Sequence, residues 1–131
     1  MWALGYISDG DNDHIEYMLG NRGELIVNRL CEILSLNLSH LEQPSVRILG
    51  NLATATDEIT DLVMKTDGIK YICKMLASSN ETTRKEAAWT VSNFTAGTIE
   101  QTEMVYDLGV FEQCFKMLKE DTHQVKVEVA Y

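Results

Sequence analysis

An aromatic ring and a side-chain amide lie one helical turn apart in the segment that contains Trp89 and Asn93. At positions i and i+4 the two side chains share a helix face. An indole flanks a lysine stem or stacks on a guanidinium at about 0.5–2 kcal/mol per contact. The amide donates to and accepts from peptide backbone, and Glu86 adds a carboxylate on the same face. This combination favours an extended peptide rich in lysine and arginine.

Residues typical of catalysis or metal binding are not grouped in this sequence. There is no Gly-rich phosphate loop, His–carboxylate pair or nucleophile motif, and the three histidines are scattered. Cys31, Cys73 and Cys114 are far apart, each in an apolar segment, so we expect reduced, buried thiols in a cytosolic or nuclear protein. We predict no enzyme activity, no metal site and no cofactor.

Composition and charge narrow the class of protein further. At 45% hydrophobic and 24% charged residues, the 131-residue chain is neither disordered nor membrane-embedded. Twenty acidic residues against eleven basic ones give a net charge of −9. That charge disfavours nucleic acid and anionic lipid and permits a basic partner, although many domains are acidic only to stay in solution.

The sequence repeats itself at intervals of about 42 residues. The three cysteines are 42 and 41 residues apart, and segment 45–53 matches segment 87–95. Three apolar segments end at leucines that are 42 residues apart, namely Leu34, Leu76 and Leu118. Matches in one register along the whole chain indicate a helical solenoid.

Each unit contains three predicted helices. In the middle unit they cover about 58–65, 69–77 and 80–95. Gly68 is expected in the corner between the first two, where glycine tolerates a positive φ. The preceding unit has helices near 13–19, 25–36 and 44–54, and the following one near 99–106, 111–118 and from 121 or 122 onward. The first complete unit has three extra residues, which we expect in an outer connection near 35–42.

Three helices per repeat of about 42 residues predict an all-α, right-handed armadillo-repeat superhelix, since HEAT and tetratricopeptide units have two. We assign 1–10 to the end of one repeat, 11–55 and 56–97 to complete repeats, and 98–131 to an incomplete one. Stacked third helices line a concave surface. The chain resembles an excerpt of a longer solenoid, so we expect exposed apolar end faces and end-to-end association or marginal stability.

The third helices resemble those of importin alpha. The segment KEAAWTVSNFTAG, residues 85–97, is similar to the third helix of an importin alpha repeat, and the resemblance extends over the whole chain. Successive ladder positions read Trp2/Tyr6, Arg47/Asn51, Trp89/Asn93 and Tyr131. This is the order of the family's fifth, sixth and seventh repeats and the start of its eighth. The resemblance implies a Trp–Asn array at the minor binding site for nuclear localisation signals.

The resemblance also implies which residues contact the peptide. They are Tyr6, Arg47, Asn51, Thr54, Thr60, Glu86, Trp89, Ser92, Asn93, Glu128 and Tyr131. Thr54 and Thr60 match threonines of the minor site. Arg47 interrupts the array, and an ion pair within or between repeats is an equal interpretation of it. Tyr131 stands where the family usually has tryptophan, which keeps an aromatic wall.

The function implied is a nuclear import adaptor that shuttles between cytoplasm and nucleus. It would bind basic nuclear localisation signals of cargo, with importin beta and an export receptor bound through the full-length protein, and with neither nucleic acid nor membrane as partner. The alternative is another armadillo scaffold, such as a catenin-like protein. A basic groove for acidic peptides is expected there, whereas this chain is acidic.

Overall fold

The computed structural model describes residues 1–131 and contains ten α-helices and no strand. The helices are α1 (Trp2–Ser8), α2 (Asn12–Leu19), α3 (Gly23–Ser35), α4 (Ser39–Leu52), α5 (Asp57–Met64), α6 (Gly68–Met75), α7 (Glu81–Thr95), α8 (Ile99–Asp107), α9 (Val110–Glu120) and α10 (His123–Ala130), with a 3₁₀ turn at Gly20–Arg22. The prediction of an all-α chain with three helices per repeat is confirmed.

Capping side chains mark where the first helix of each repeat begins. Asp11 accepts a hydrogen bond from the His14 backbone N–H at 3.0 Å, and Thr56 occupies the same place before α5. Thr98 accepts from the Gln101 N–H at 3.2 Å, and the Gln101 side chain accepts from the Thr98 N–H in return. These caps satisfy amides that an isolated helix start leaves unpaired.

The third helices α1, α4, α7 and α10 pack side by side in chain order, and each second helix packs against the third helix of its own repeat. One continuous core of 25 buried apolar residues runs through the stack. Leu52 and Phe94, at matching places in α4 and α7, are fully buried. No helix combines the length and hydrophobicity needed to span a bilayer.

The prediction of a positive φ at Gly68 is wrong. Positive φ angles occur at Gly20, Gly109 and Asn37. Gly68 is instead the first residue of α6, where an added Cβ would lie 2.7 Å from the Cys31 sulfur. Glycine is needed there because α6 packs closely on α3.

The three extra residues of the first complete repeat do not lie near 35–42. Helices α2 and α5 start and end 45 residues apart, whereas Cys31 and Cys73 are 42 residues apart. The additional residues therefore lie between Leu19 and Cys31. There they lengthen the second helix, since α3 has 13 residues and α6 has 8.

Of the three leucines spaced 42 residues apart, the last one does not occupy a core position. Leu34 and Leu76 are fully buried, but Leu118 is 38% exposed and Met117 takes the core position at 3%. The last second helix is one residue out of register, because its cysteine follows Cys73 by 41 residues.

The three cysteines are free thiols. Cys31 is buried as expected, but Cys73 and Cys114 are only half-buried. Burial, with a smaller effect of the neighbouring Cys114, raises the pKa of Cys73 to about 12. The thiolate, which is the reactive form, is therefore scarce at neutral pH.

Candidate functional site

The Trp89 side chain lies against the backbone of the preceding third helix. A Cβ at Gly50 of α4 would come within 2.6 Å of the indole, so only a glycine there permits this contact. The neighbouring Thr90 hydroxyl donates to the Val46 carbonyl at 3.4 Å. The indole is thus held between helices and remains half-buried, with part of its surface open.

The two ladder asparagines bond to the preceding third helix. Asn51 Nδ2 donates to the Gly5 carbonyl at 3.3 Å and to Ser8 Oγ at 3.0 Å. Asn93 Nδ2 donates to the Gly50 carbonyl at 3.2 Å, one repeat further along. Asn51 is only 3% exposed and its amide joins two repeats, so it has little free surface for the predicted peptide contact. Asn93 is half-buried and its Oδ1 makes no hydrogen bond.

The two carboxylates predicted to face a peptide are already paired. Glu86 Oε1 accepts from Arg47 Nη1 at 3.0 Å, and the Glu86 side chain is 13% exposed. Glu128 lies 3.8 Å from Lys85 Nζ. Arg47 also lies 3.7 Å from Asp9. Of the two interpretations of Arg47, the structure shows the ion pair between repeats.

An open groove of about 290 Å³ lies where third helices end and first helices begin. It brings together three of the predicted residues, Thr54, Thr60 and Asn93. Its lining is Ala53, Thr54, Ala55, Thr56, Asp57, Thr60, Asn93, Ala96 and Gly97. Thr54 is exposed and its hydroxyl donates to the Asn51 carbonyl at 2.7 Å. Thr60 is buried, and its hydroxyl donates to the carbonyls of Ala53 and Thr56 at 3.2 and 3.0 Å.

Four other predicted residues, Tyr6, Ser92, Glu128 and Tyr131, do not line this groove. Tyr6 on α1 is 75% exposed and Tyr131 after α10 is 93% exposed, at opposite ends of the row of third helices. Ser92 is half-buried and its hydroxyl donates to the Trp89 carbonyl at 2.7 Å. Ser92, Glu128 and Tyr131 border a second, apolar groove instead.

Three charged residues were not predicted from the sequence: Asp57, Arg84 and Asp121. Asp57, the first residue of α5, is exposed and lines the groove without an ion-pair partner; its place three residues after Thr54 was the available signal. Arg84 forms two hydrogen bonds of 2.7 Å with the Asp121 carboxylate. No local pattern marks that pair, because 37 residues separate the partners. The Arg84 guanidinium lowers the pKa of Asp121.

The side chains at this surface are suited to binding a ligand through hydrogen bonds and charge. The groove offers the unpaired Asn93 Oδ1, the Asp57 carboxylate and hydroxyl groups, and the partly open Trp89 indole lies one helical turn before Asn93. No group of three or more His, Cys, Asp or Glu side chains is arranged to hold a metal ion. Such a set of acceptors suits a lysine ammonium and peptide N–H groups.

Comparison with known proteins supports the same fold. The family model "Armadillo/beta-catenin-like repeat" matches residues 56–96. Importin subunit alpha-1a of Oryza sativa subsp. japonica is 33% identical over 110 residues, which is 83% of this chain and 20% of that protein. Importin subunit alpha-4 of Arabidopsis thaliana is 31% identical over the same shares. The chain thus spans about a fifth of the length of these relatives.

Solved structures agree in architecture. An engineered protein superimposes with a TM-score of 0.86 at 26% identity, over 98% of this chain and 52% of its own. A designed armadillo repeat protein in complex with the peptide (KR)4 gives a TM-score of 0.86 at 22% identity, over the same shares. These likenesses confirm the armadillo solenoid, and the curated relatives confirm the resemblance to importin alpha.

Proposed function

Because this chain belongs to the armadillo-repeat family and is related in sequence to importin alpha subunits, we propose that it is part of a nuclear import adaptor that binds Lys/Arg-rich nuclear localisation signals. One observation carries the proposal. Thr54, Asp57 and Asn93 line an open groove, and the half-buried Trp89 lies one helical turn before Asn93, in a chain with a net charge of −9.

The peptide would lie extended across α4, α7 and α10. A lysine ammonium enters the groove, where the Asp57 carboxylate and the groove's hydroxyl and carbonyl oxygens replace its water. Asn93 Oδ1 accepts from a peptide N–H and so orients the backbone. The open part of Trp89 flanks the aliphatic stem of a basic side chain, and Tyr131 offers a second aromatic face further along.

The ion pairs within the chain determine how readily Glu86 and Glu128 can bind a basic residue of the peptide. A peptide cation at Glu86 must displace Arg47, which is held at 3.0 Å in a largely covered pair. A cation at Glu128 displaces Lys85, which is 3.8 Å away and 42% exposed. Because exposed pairs contribute only about 0–1 kcal/mol, Glu128 exchanges partners more readily. We therefore expect a basic residue opposite Glu128 to contribute more to affinity than one opposite Glu86.

The remaining functions would belong to the full-length protein. This chain spans about a fifth of its relatives, and the larger basic cluster of a bipartite signal would bind on other repeats. Linking two modest sites raises affinity through effective concentration, so the chain alone should bind weakly. Binding of importin beta and of an export receptor, and shuttling between cytoplasm and nucleus, are part of the same proposal.

The proposal is tested by titrating a fluorescent lysine-rich signal peptide into the parent chain and the double variant Trp89→Ala/Asn93→Ala. Two lost contacts predict a fall in affinity of at least about tenfold. The matched control is Tyr17→Ala/Asn21→Ala, which removes an exposed aromatic–Asn pair of the same sequence spacing that does not line the groove. Melting curves must show that each variant is folded, since Trp89 and Asn93 also contact α4.

A second arm separates this function from the catenin-like alternative. An acidic peptide of the same length and label should not compete with the basic one at low salt. Tighter binding of the acidic peptide, or equal affinity of parent and double variant for the basic one, would contradict the proposal.

A further inference from the structure

A long groove runs along α3 between the two complete repeats. Two open cavities of about 780 and 600 Å³ join there, since Glu24 and Leu62 line both of them. Helices α2 and α3 form one side, α5 and α6 form the other, and no third helix lines it. On α3 the lining extends from Gly23 to Ser35, which is about 18 Å of helix. We call this surface the α3 groove.

The added residues of the first complete repeat lengthen one wall of the α3 groove. Helix α3 has 13 residues where α6 has 8, and its first turn contributes Gly23 and Glu24 to the lining. A Cβ at Gly23 would lie 3.3 Å from Leu62 Cδ2. The first turn of α3 therefore packs closely on α5, and Glu24 and the half-buried Leu62 border the same cavities.

Three carboxylates at one end of the α3 groove have no ion-pair partner within the chain. Glu16, Glu24 and Glu58 are exposed and line the same cavity, and no lysine, arginine or histidine lines it with them. None of the three takes part in an ion pair. Because unpaired carboxylates attract cations, this end of the groove favours a basic ligand.

The other end of the α3 groove carries less free charge. Glu32 and Asp67, which line the second cavity, are each paired with a cation, at 2.6 and 2.8 Å. The acidic positions also do not recur in the next repeat, where Lys70 and Lys74 stand 42 residues after Asn28 and Glu32. The negative charge available to a ligand is therefore concentrated at the end with the three unpaired glutamates.

We propose that the α3 groove binds an extended segment of a partner protein in which two or three lysine or arginine residues flank one apolar residue. The apolar side chain covers Leu62 and Ile59, which are half-buried and line the same cavity as the three carboxylates. Its basic neighbours pair with Glu16, Glu24 and Glu58. The length of the groove accommodates about five extended residues at about 3.3 Å each.

A ¹⁵N NMR titration of the chain with the peptide acetyl-KKLKG-amide tests the proposal. We expect saturable shifts of the backbone amides of Glu24 and Leu62. The α3 groove shares only Thr56 with the groove proposed for nuclear localisation signals, so the amides of Asn93 and Gly97 report on that second site in the same spectra. Shifts confined to Asn93 and Gly97 would overturn the inference and leave the proposed function intact.

Charge-reversing variants separate local pairing from net charge. At about 0.15 M salt, Glu24→Lys/Glu58→Lys should weaken binding at the α3 groove at least about tenfold. The matched control Glu100→Lys/Glu103→Lys reverses two exposed carboxylates of α8 that lie outside this groove, and its affinity should stay within about twofold of the parent. Equal weakening by the two folded variants would overturn the proposal.

Two further peptides test the chemistry of the ligand. Serine in place of leucine, in acetyl-KKSKG-amide, removes the apolar contact and should raise the Kd at least about threefold. The acidic peptide acetyl-EELEG-amide should not bind. Equal Kd values for the leucine and serine peptides, or saturable binding of the acidic peptide at the α3 groove, would contradict the assignment.

Discussion

The polar side chains that recur on the third helices bond neighbouring repeats to each other before any peptide is bound. Asn51 donates to Gly5, Asn93 donates to Gly50, and Glu86 accepts from Arg47. Asn93 and Glu86 therefore have a structural role besides the contacts proposed for them. A variant at Asn93 or Glu86 also removes a bond between α7 and α4.

The ion pair between repeats that has the shortest hydrogen bonds, Arg84–Asp121, lies outside the proposed site. Arg84 of α7 binds both carboxylate oxygens of Asp121, whose side chain is 8% exposed, and also donates to the Ser78 carbonyl at 2.9 Å. We predict that Asp121→Asn lowers the free energy of unfolding by about 1.5–3 kcal/mol at pH 7. Asp107→Asn, which removes an exposed carboxylate of the next repeat's first helix, should change it little.

The same pair predicts a pH dependence. Because Arg84 lowers the pKa of Asp121 in the folded chain, the stabilisation is present above the unfolded-state value near 3.8. It is lost as the pH falls through the lowered folded-state pKa. Urea unfolding of parent and Asp121→Asn at pH 7 and at successively lower pH should show their difference shrinking below about pH 4. A difference that is constant with pH would contradict this account.

At the residue scale, sequence could predict which positions share one face of a third helix but not what each one bonds to. Trp89, Glu86 and Asn93 were placed on one face by their spacing alone. The partners of Glu86 and Asn51 lie 39 and 46 residues away, and the exact depth of packing decides whether such side chains meet. That depth depends on the whole stack, which is why the burial of Asn51 was not foreseen.

At the scale of helices, close approach depends on glycine at particular positions. Gly50→Ala places a methyl group against the Trp89 ring and the Thr90 hydroxyl. We predict a loss of about 1–3 kcal/mol in the free energy of unfolding, together with weaker peptide binding as the indole is displaced.

Gly5→Ala is the natural control for that substitution, because Gly5 occupies the same repeat position in α1. Its Cβ would lie 3.9 Å from Ile48, an ordinary contact, so stability should stay level or rise by up to about 1 kcal/mol. Thermal or urea unfolding measures both. Equal destabilisation by the two variants would show that the Trp89 contact does not limit the approach of α7 to α4.

The helices themselves were largely predictable, since apolar periodicity and the 42-residue register determine their number and order. The predictions failed in α3 and α9, where a shift in the repeat register does not interrupt the apolar face of the helix. Three residues added to a helix make nearly one full turn of 3.6 residues, so the longer α3 carries no break in its pattern. In α9, Met117 and Leu118 are both apolar, and only packing shows which of them is buried.

For the whole molecule, net charge and solenoid form together favour a basic peptide ligand. With −9 charges on 131 residues, long-range attraction should assist binding at low ionic strength. We predict that affinity for a lysine-rich peptide falls as salt rises through about 0.2 M, because the screening length shrinks to about 8–10 Å and below. Affinity that does not change over this range would argue against an electrostatic component.

The most direct test of the peptide site adds one positive charge inside the groove and the same charge outside it. Thr54→Lys changes an exposed residue of the groove, and Thr82→Lys changes an exposed threonine on the first turn of α7, about 16 Å of helix away from Asn93. Titrated with the same fluorescent lysine-rich peptide, Thr54→Lys should bind at least about tenfold more weakly than the parent through like-charge repulsion. Thr82→Lys should stay within about twofold, as expected for distant exposed charge. Equal affinity of the two folded variants would contradict the assignment of this groove as the signal-binding site.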